Sequence, residues 1–369
     1  MTMNELDVTR AQRVLVVKLS SLGDVVHVTP CLNAIRQSVP HAEIVMAVDR
    51  RFSAVVRHNP HVDRVIEASD GRIGPMPDLL RIREELSSFR DRPFDVAIDF
   101  QGTRRSAMWV YASRATWKAG RGKVRPGWTL ALQPDLNKHA ILVCAEIANA
   151  VGVRVVDLHP EIFLSEKDDQ ELLATLKEHG APEDGFVIVN PFNRWPSKTW
   201  PFERYAQTVR RLREDFRVPV VITGGPGEGQ EAAEFVRYFP AGTAISLVGE
   251  LSLDQALCLY RRALLMVTGD SGPMHAAAAL GTRVVALFGP TLPERTGPWG
   301  EGHRVIQKMR PPFHHAYRAD GGRMYMQAID VETVYAAIAA TLQPLVSERS
   351  QQPMLAPRPT TNQAVRDVR

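Results

Sequence analysis

The run VLVVKLSSLGDVVHVTPCL, Val14–Leu32, carries an apolar, β-branched segment through a small polar turn into a helical pattern. Such a turn leaves backbone N–H groups free, and with the helix dipole it favours an anion. This one instead holds Asp24 at the mouth of the helix, with neither a GxGxxG run nor a Lys-Ser/Thr pair. A second strand–turn–helix opening, MVTGDSGPMHAAAALGTRVVALFGPT (Met266–Thr291), has no such conflict. There Gly269-Asp270-Ser271-Gly272 forms the turn and Pro273 takes a first helical position. The N–H groups of Gly272, Met274 and His275 then face an anion, and His275 projects from the first turn. The plainer alternative makes Asp270 or Ser271 an ordinary N-cap and His275 a surface residue.

Three more clusters follow strand-like runs. VNPFNRWPSKTWPFERYA (Val189–Ala206) concentrates Asn190, Asn193, Arg194, Ser197, Lys198 and Thr199 before a helix. Donors and cations gathered at a strand's C-terminal end suit a diphosphate, although packed tryptophans and solvated cations would give the same composition. VITGGPGEGQEAAEF (Val221–Phe235) allows close backbone approach at its glycines, and an acidic residue beyond them can accept from ribose hydroxyls. Gly-Gly-Pro also serves as a simple turn. DFQGTRRSA (Asp99–Ala107) and GRGKVRPGW supply Gln101, Gly102, Arg104, Arg105, Arg121, Lys123 and Arg125, either for an acidic acceptor or as a solvated basic face. The sequence shows no P-loop, HExxH, GxSxG, DxD pair or zinc-type Cys/His spacing, so the expected chemistry needs no metal.

Alternating strands and helices must position these clusters. Val14–Leu19, Glu43–Val48, Val62–Glu67 and Asp95–Asp99 read as buried strands, with helices over Val25–Ser38, Arg51–His58, Asp78–Phe89 and near His139–Val151. The rhythm restarts with a capped helix, Ser165–Gly180, then Phe186–Asn190, Phe202–Phe216, Pro219–Thr223 and Glu228–Tyr238. Ile245–Val248, Leu253–Arg262, Leu264–Thr268, Pro273–Leu280 and Arg283–Phe288 continue the series, and Val331–Leu342 is a final helix. The expectation is α/β: two doubly wound Rossmann-like domains facing across a cleft, with the break near 155–180.

Composition agrees. A chain of 369 residues, 44% hydrophobic and 23% charged, is large enough for two cores and needs no staple. Cys31, Cys144 and Cys258 sit apart in apolar segments, as core residues of a reduced, cytoplasmic protein do. MTMNELDVTRAQR lacks an apolar signal-type run, and no 18-residue apolar window occurs. A net charge of +4 fits an anionic ligand or membrane surface and is too weak for a nucleic-acid partner. The tail SERSQQPMLAPRPTTNQAVRDVR lacks apolar periodicity and is expected to be disordered.

Taken in order, KLSSLGDVVHVTPCL, DFQGTRRSA, KHAILVCAEIANAVGV, NPFNRWPSKTWP, GGPGEG and GDSGPMHAAAALGTRVVALFGPT resemble the ADP-heptose:lipopolysaccharide heptosyltransferases, glycosyltransferase family 9. The resemblance runs from about Arg13 to about Leu342. It implies the GT-B fold, inversion at the anomeric carbon, and no cofactor beyond the ADP-sugar co-substrate. It also implies a division of the chain: 1–12 a polar extension, 13–165 the acceptor domain, 166–342 the nucleotide-sugar domain and 343–369 the tail. Carried onto this sequence, Asp24 takes the place of the catalytic base. Asn193, Lys198, Thr199, Gly225, Asp270, Ser271, Gly272, Pro273, Met274 and His275 fall to the donor, with Glu228 or Glu231 at the nucleoside. Ser21, Gly23, Gln101, Gly102, Arg104, Arg105 and Arg121 fall to a lipid-linked acidic glycan acceptor. Such an acceptor implies work at the inner face of the inner membrane, with Arg50–Arg51, Arg104–Arg105 and Arg121–Arg125 as surface contacts. A GT-B enzyme with another nucleotide sugar or acceptor, or a silent sugar-nucleotide-binding protein, are the alternatives. The chain departs from many members in RPPFHHAYRADGGRMYMQAI, Arg310–Ile329, which lacks their late cysteine.

Overall fold

Val14–Val17 presents four consecutive apolar side chains and no polar face, as a strand covered on both sides does. In the computed structural model, which describes residues 8–68, 84, 87, 92–123, 125–240, 242–313 and 322–351, this run is β1 (Arg13–Val17), buried throughout. The chain divides into two compact units, Met1–Phe163 and Leu164–Arg369.

In the first unit β1 is joined by β2 (Glu43–Asp49), β3 (Arg64–Ala68), β4 (Val96–Asp99), β5 (Trp117–Arg121) and β6 (Leu130–Leu132). The parallel sheet has the order β3-β2-β1-β4-β5-β6. The order reverses between β1 and β4, and loops that leave neighbouring strands at such a reversal part to open a crevice at the sheet's C-terminal edge. Val17 lies opposite Ala47 on one side and Asp99 on the other, so the turns after β1 and β4 begin level with each other. Leu15, Val17, Val45, Phe94, Ala97 and Trp109 form part of the core. The Leu22–Ser38 helix packs against the Ala140–Ala150 helix. It buries Val25, Val26, Val28, Cys31, Leu32 and Ile35, and that burial lets it accommodate Pro30, which has no N–H for the helix ladder.

The second unit repeats the plan with β7 (Val187–Asn190), β8 (Val220–Ile222), β9 (Ile245–Ser246), β10 (Leu265–Gly269), β11 (Arg283–Leu287) and β12 (Arg304–Ile306). Its parallel order is β12-β11-β10-β7-β8-β9, with the reversal between β7 and β10 and Thr268 opposite Asn190. Here Trp200 anchors the loop after β7. It is fully buried, its Nε1–H donates to the Ile329 carbonyl at 2.9 Å, and its ring meets Tyr205 edge-on at 4.9 Å.

Several expectations are corrected. The extension before residue 13 is not simply polar surface: Val8 and Ala11 are buried, and Gln12 N–H donates to Asp95 Oδ2 at 2.7 Å. The expected helix over Arg51–His58 is a 3₁₀ segment, Arg50–Val55, capped by Asp49; the β-branched pair Val55-Val56 and the pre-proline Asn59 disfavour a longer one. The final helix runs Val331–Gln351, so 343–351 are not a disordered tail. It continues through Pro344 because Leu342 is buried and Val346 packs on the core. β5, β6, β12 and the Arg104–Ala112 helix escaped the pattern reading, because WKAGR, LAL and RVI are too short or too polar to show it. The helix expected over Asp78–Phe89, nearly all of it, and residues 352–369 lie outside the described residues.

Candidate active site

In the first unit the turn after β1 is organised around Asp24. Ser21 caps the Leu22–Ser38 helix, and Asp24, three residues on, reaches back so that Oδ2 accepts from the Ser21 N–H at 2.9 Å and Oγ–H at 2.8 Å. Its Oδ1 lies 3.3 Å from the Nζ of Lys18, which also donates to the Phe100 carbonyl at 3.3 Å. The Lys18 side chain is only 4% exposed and that of Asp24 44% exposed. Partial burial works to raise the Asp24 pKa, but the Lys18 ammonium, the Ser21 amide, His27 and the Ser21 hydroxyl outweigh it and hold the carboxyl well below the usual range. Asp24 is therefore ionised at any physiological pH.

The neighbouring turn, after β4, is built by a second carboxylate. Asp99 is fully buried, accepting at Oδ1 from the N–H groups of Gln101 (2.8 Å) and Gly102 (3.0 Å) and at Oδ2 from Ser106 Oγ (2.8 Å). Burial pushes its carboxyl up despite those donors and Arg125. Gly102 has φ +75°, and a Cβ there would lie 2.9 Å from the Arg121 carbonyl oxygen, so the turn admits only glycine. Ser20 N–H donates to Gln101 Oε1 at 3.1 Å, which fastens the two turns together. Ser21, Gly23, Asp24, Gln101, Gly102 and Arg121 thus gather at one sheet edge. Arg105 reaches Asp49 Oδ2 at 3.5 Å, beside Arg51, and Arg104 stands exposed at the helix start.

In the second unit Lys198 and Asp270 come from the loops after β7 and β10. Lys198 Nζ donates to Asp270 Oδ2 at 2.7 Å and to the Asp270 carbonyl at 3.3 Å, with side chains 16% and 7% exposed. Burial works to raise the Asp270 carboxyl, and Lys198, through its charge and hydrogen bond, together with His275, brings it below the usual range. Asn193 donates to the Lys198 carbonyl at 3.3 Å and lies so close to Gly269 that a Cβ there would sit 2.9 Å from it. Ser271 caps the Gly272–Ala279 helix by accepting from Met274 N–H at 3.4 Å. Two expectations change here. One of the three amides assigned to an anion already has a partner, and Met274 and His275 are buried, with His275 beside Asp270, which sets aside the plainer alternative of a surface histidine.

The two glutamates part company. Glu228 Oε2 accepts from Gly225 N–H at 2.7 Å beside Gly224, and burial pushes its carboxyl up. It follows β8, the strand next to the reversal. Glu231 instead lines a cavity of about 310 Å³ with Thr199, Phe202, Glu203, Glu234 and Tyr238, and neither Lys198 nor Asp270 borders it. Two contributors were missed: Lys18 and Asp99. A lone lysine closing an otherwise apolar strand was the available signal for the first, and the Asp-x-x-Gly spacing for the second.

A lysine–aspartate pair thus stands at strand-end turns in each unit, and comparison with known proteins decides the family. A model of the family described as glycosyltransferase family 9 (heptosyltransferase) matches residues 82–319, over half of the chain. The chain belongs to that family. This family 9 glycosyltransferase is 24% identical over 330 residues to lipopolysaccharide heptosyltransferase 3 of Escherichia coli K12, spanning 85% of this chain and 94% of that protein. It is 26% identical over 356 residues to lipopolysaccharide heptosyltransferase 2 of Salmonella typhimurium LT2, spanning 91% and 99%. Among solved structures, the E. coli ADP-heptose lipopolysaccharide heptosyltransferase II superposes with a TM-score of 0.73 at 22% identity, covering 90% of this chain and 99% of the other. A family 9 glycosyl transferase from Veillonella parvula reaches 0.78 at 24%, covering 90% and 97%. The fold is GT-B. No described helix is long and apolar enough to cross a membrane.

Proposed function

We propose that this glycosyltransferase transfers a heptose from ADP-heptose to an acidic, lipid-linked sugar acceptor of the lipopolysaccharide inner core, inverting the anomeric carbon. The acceptor hydroxyl oxygen forms its bond to the anomeric carbon as the bond from that carbon to the diphosphate oxygen breaks, through an oxocarbenium-like transition state. Asp24 takes the hydroxyl proton. The departing ADP gains charge, which Lys198 and the N-terminus of the Gly272–Ala279 helix stabilise, so the reading assigns no step to a metal. Glu228, beyond the strand next to the reversal, is the better placed of the two glutamates to accept from ribose hydroxyls, through Oε1. Gln101, Gly102, Arg104, Arg105 and Arg121 face the acceptor, and the arginines suit its acidic groups.

The observation that carries this reading is the Asp24 carboxylate: ionised, oriented through one oxygen by Ser21, and still 44% exposed. The names of the relatives support the choice of sugar and nucleotide, since one of them is an ADP-heptose enzyme. Mass spectrometry of the product from ADP-heptose and truncated lipopolysaccharide acceptors tests it. The expected product is the acceptor plus one heptose with the configuration inverted, formed at the same rate in EDTA. No product, together with thermal stabilisation by UDP or GDP in place of ADP, overturns the donor assignment.

A further inference from the structure

Lys18 is a buried cation on a strand end that is otherwise apolar. Taking an ammonium out of water costs several kcal/mol unless it is paired and hydrogen-bonded. Both of the partners described for it lie at the site: Asp24 Oδ1 and the Phe100 carbonyl, each at 3.3 Å. Phe100 precedes Gln101, so one ammonium ties the carboxylate-bearing turn to the turn after β4.

We propose that Lys18 is a positioning residue for the transfer, fixing the Asp24 carboxylate and balancing its charge so that Oδ1 stays the oxygen that receives the acceptor's proton. This rests on the reading of Asp24 as base. The two oxygens are already distinguished. Oδ2 takes two short bonds from Ser21, whereas Oδ1 has one longer contact and keeps acceptor capacity. When the proton arrives on Oδ1 the pair's attraction disappears and Lys18 keeps only the Phe100 carbonyl, which favours loss of that proton to water and restores the base.

The other groups that face this pair do not take over its role. His27 lies on the same helix, one turn on, with His139 from the neighbouring helix edge-on to it at 5.5 Å. Cys144, from that neighbouring helix, is held neutral, its thiol pushed up to about 11 by burial. Arg121, at the end of β5, bears on Cys144. A limb that moves in the Lys18 variants and is still there when Lys18→Met is combined with His27→Gln belongs to Asp24 and not to the histidines.

The test is the pH dependence of kcat and kcat/KM from about pH 4.5 to 9 for wild type, Lys18→Met, Lys18→Gln and Lys18→Arg, with ADP affinity from calorimetry. In Lys18→Met, kcat falls about 10–100-fold with donor KM within a few-fold. Wild type shows no limb from Asp24 in this range, whereas in Lys18→Met burial dominates at Asp24 and brings an acidic limb up into it, above about pH 4.5. Lys18→Gln, which still donates to the Phe100 carbonyl, moves the limb the same way and serves if the methionine variant does not fold. Lys18→Arg keeps the limb low and recovers part of kcat. A wild-type profile in both neutral variants overturns the proposal, whatever their kcat. Asp24→Asn separates the two claims: full transfer by that variant removes the base itself, while an inactive Asp24→Asn beside an unmoved limb removes only the role of Lys18.

Discussion

The two strand-end turns hold the same pair of side chains, turned opposite ways. After β1 the lysine is buried at 4% exposure and the aspartate is open at 44%. In the second unit the aspartate is the more buried at 7%, with the lysine at 16%. Both carboxylates are held below their usual range by the lysine beside them, so charge state does not distinguish the turns. Burial does. Where the ammonium is inside, the pair offers water a carboxylate; in the second unit both partners are largely inside, with the cation the more open of the two. Chain distance follows the same split. Lys18 and Asp24 are six residues apart in a single turn, while Lys198 and Asp270 are 72 apart on two loops that meet at a sheet reversal. A base needs rigid aim from its own turn, and a diphosphate needs donors converging from several loops.

The largest expected effect tests the acidic side of this contrast. Asp24→Asn keeps the size of the side chain and removes its basicity, and kcat falls about 10³-fold while ADP affinity stays within a few-fold. Steady-state kinetics with calorimetry on the same preparation checks it, and turnover near wild type would break the contrast at once. The basic side answers in binding. Lys198→Ala removes a charged donor and weakens ADP by about 10–100-fold in calorimetry; an unchanged dissociation constant would mean that the cation serves the fold alone.

Asp270→Asn sharpens the same point from the other partner. It removes the carboxylate that pairs with the mostly buried Lys198 and costs the second unit about 2–4 kcal/mol, seen as a lower Tm. Bound ADP then supplies the missing anion, so saturating ADP raises the Tm of the variant more than that of wild type. Equal shifts would show that the diphosphate does not meet Lys198. The pH dependence has a fixed sign. Asp270 titrates lower in the folded protein than its ordinary value of 3.8, so its stabilisation is complete above that value and is lost as pH falls below it. The variant lacks that acid-side loss.

Much of this was legible in the sequence because the informative signals are local. β1 and β7 carry the unbroken apolar runs Val14–Val17 and Val187–Val189, Asp24 and the Asp270–His275 stretch sit just beyond strands, and Ser165 announces its helix as an N-cap. What the sequence hid depends on contacts between distant segments. Strand β5 reads as WKAGR, with no hydrophobic alternation, yet a Cβ at Gly120 would lie 2.6 Å from Asp99 Cβ; the glycine is there for close packing, which composition does not reveal. That His275 is buried does not follow from its place in the first turn, because helical position says nothing of what covers it. In sequence Lys18 is only the end of a strand; its role depends on Phe100, 82 residues away, whose carbonyl lies within reach of its ammonium.

The smallest effects come from the two capping serines, and they test the contrast most finely. Ser21 and Ser271 both stand at helix N-caps, but their hydroxyls do different work. Ser21 Oγ–H donates to the Asp24 carboxylate at 2.8 Å, in a bond to a charged group. Ser271 Oγ accepts from the Met274 amide at 3.4 Å, a long cap bond. Replacing either by alanine costs about 1 kcal/mol of stability or less, with Ser271→Ala at the low end. Their kinetic signatures should diverge. Ser21→Ala loosens the aim of the base while the Ser21 N–H still holds Oδ2, so kcat falls by about 3–10-fold with ADP affinity unchanged. Ser271→Ala frees the Met274 N–H at the helix N-terminus without touching a carboxylate, so kcat stays near wild type and any change appears in ADP affinity, within about threefold. The reverse pattern, with Ser21 acting on affinity and Ser271 on turnover, would exchange the roles of the two turns.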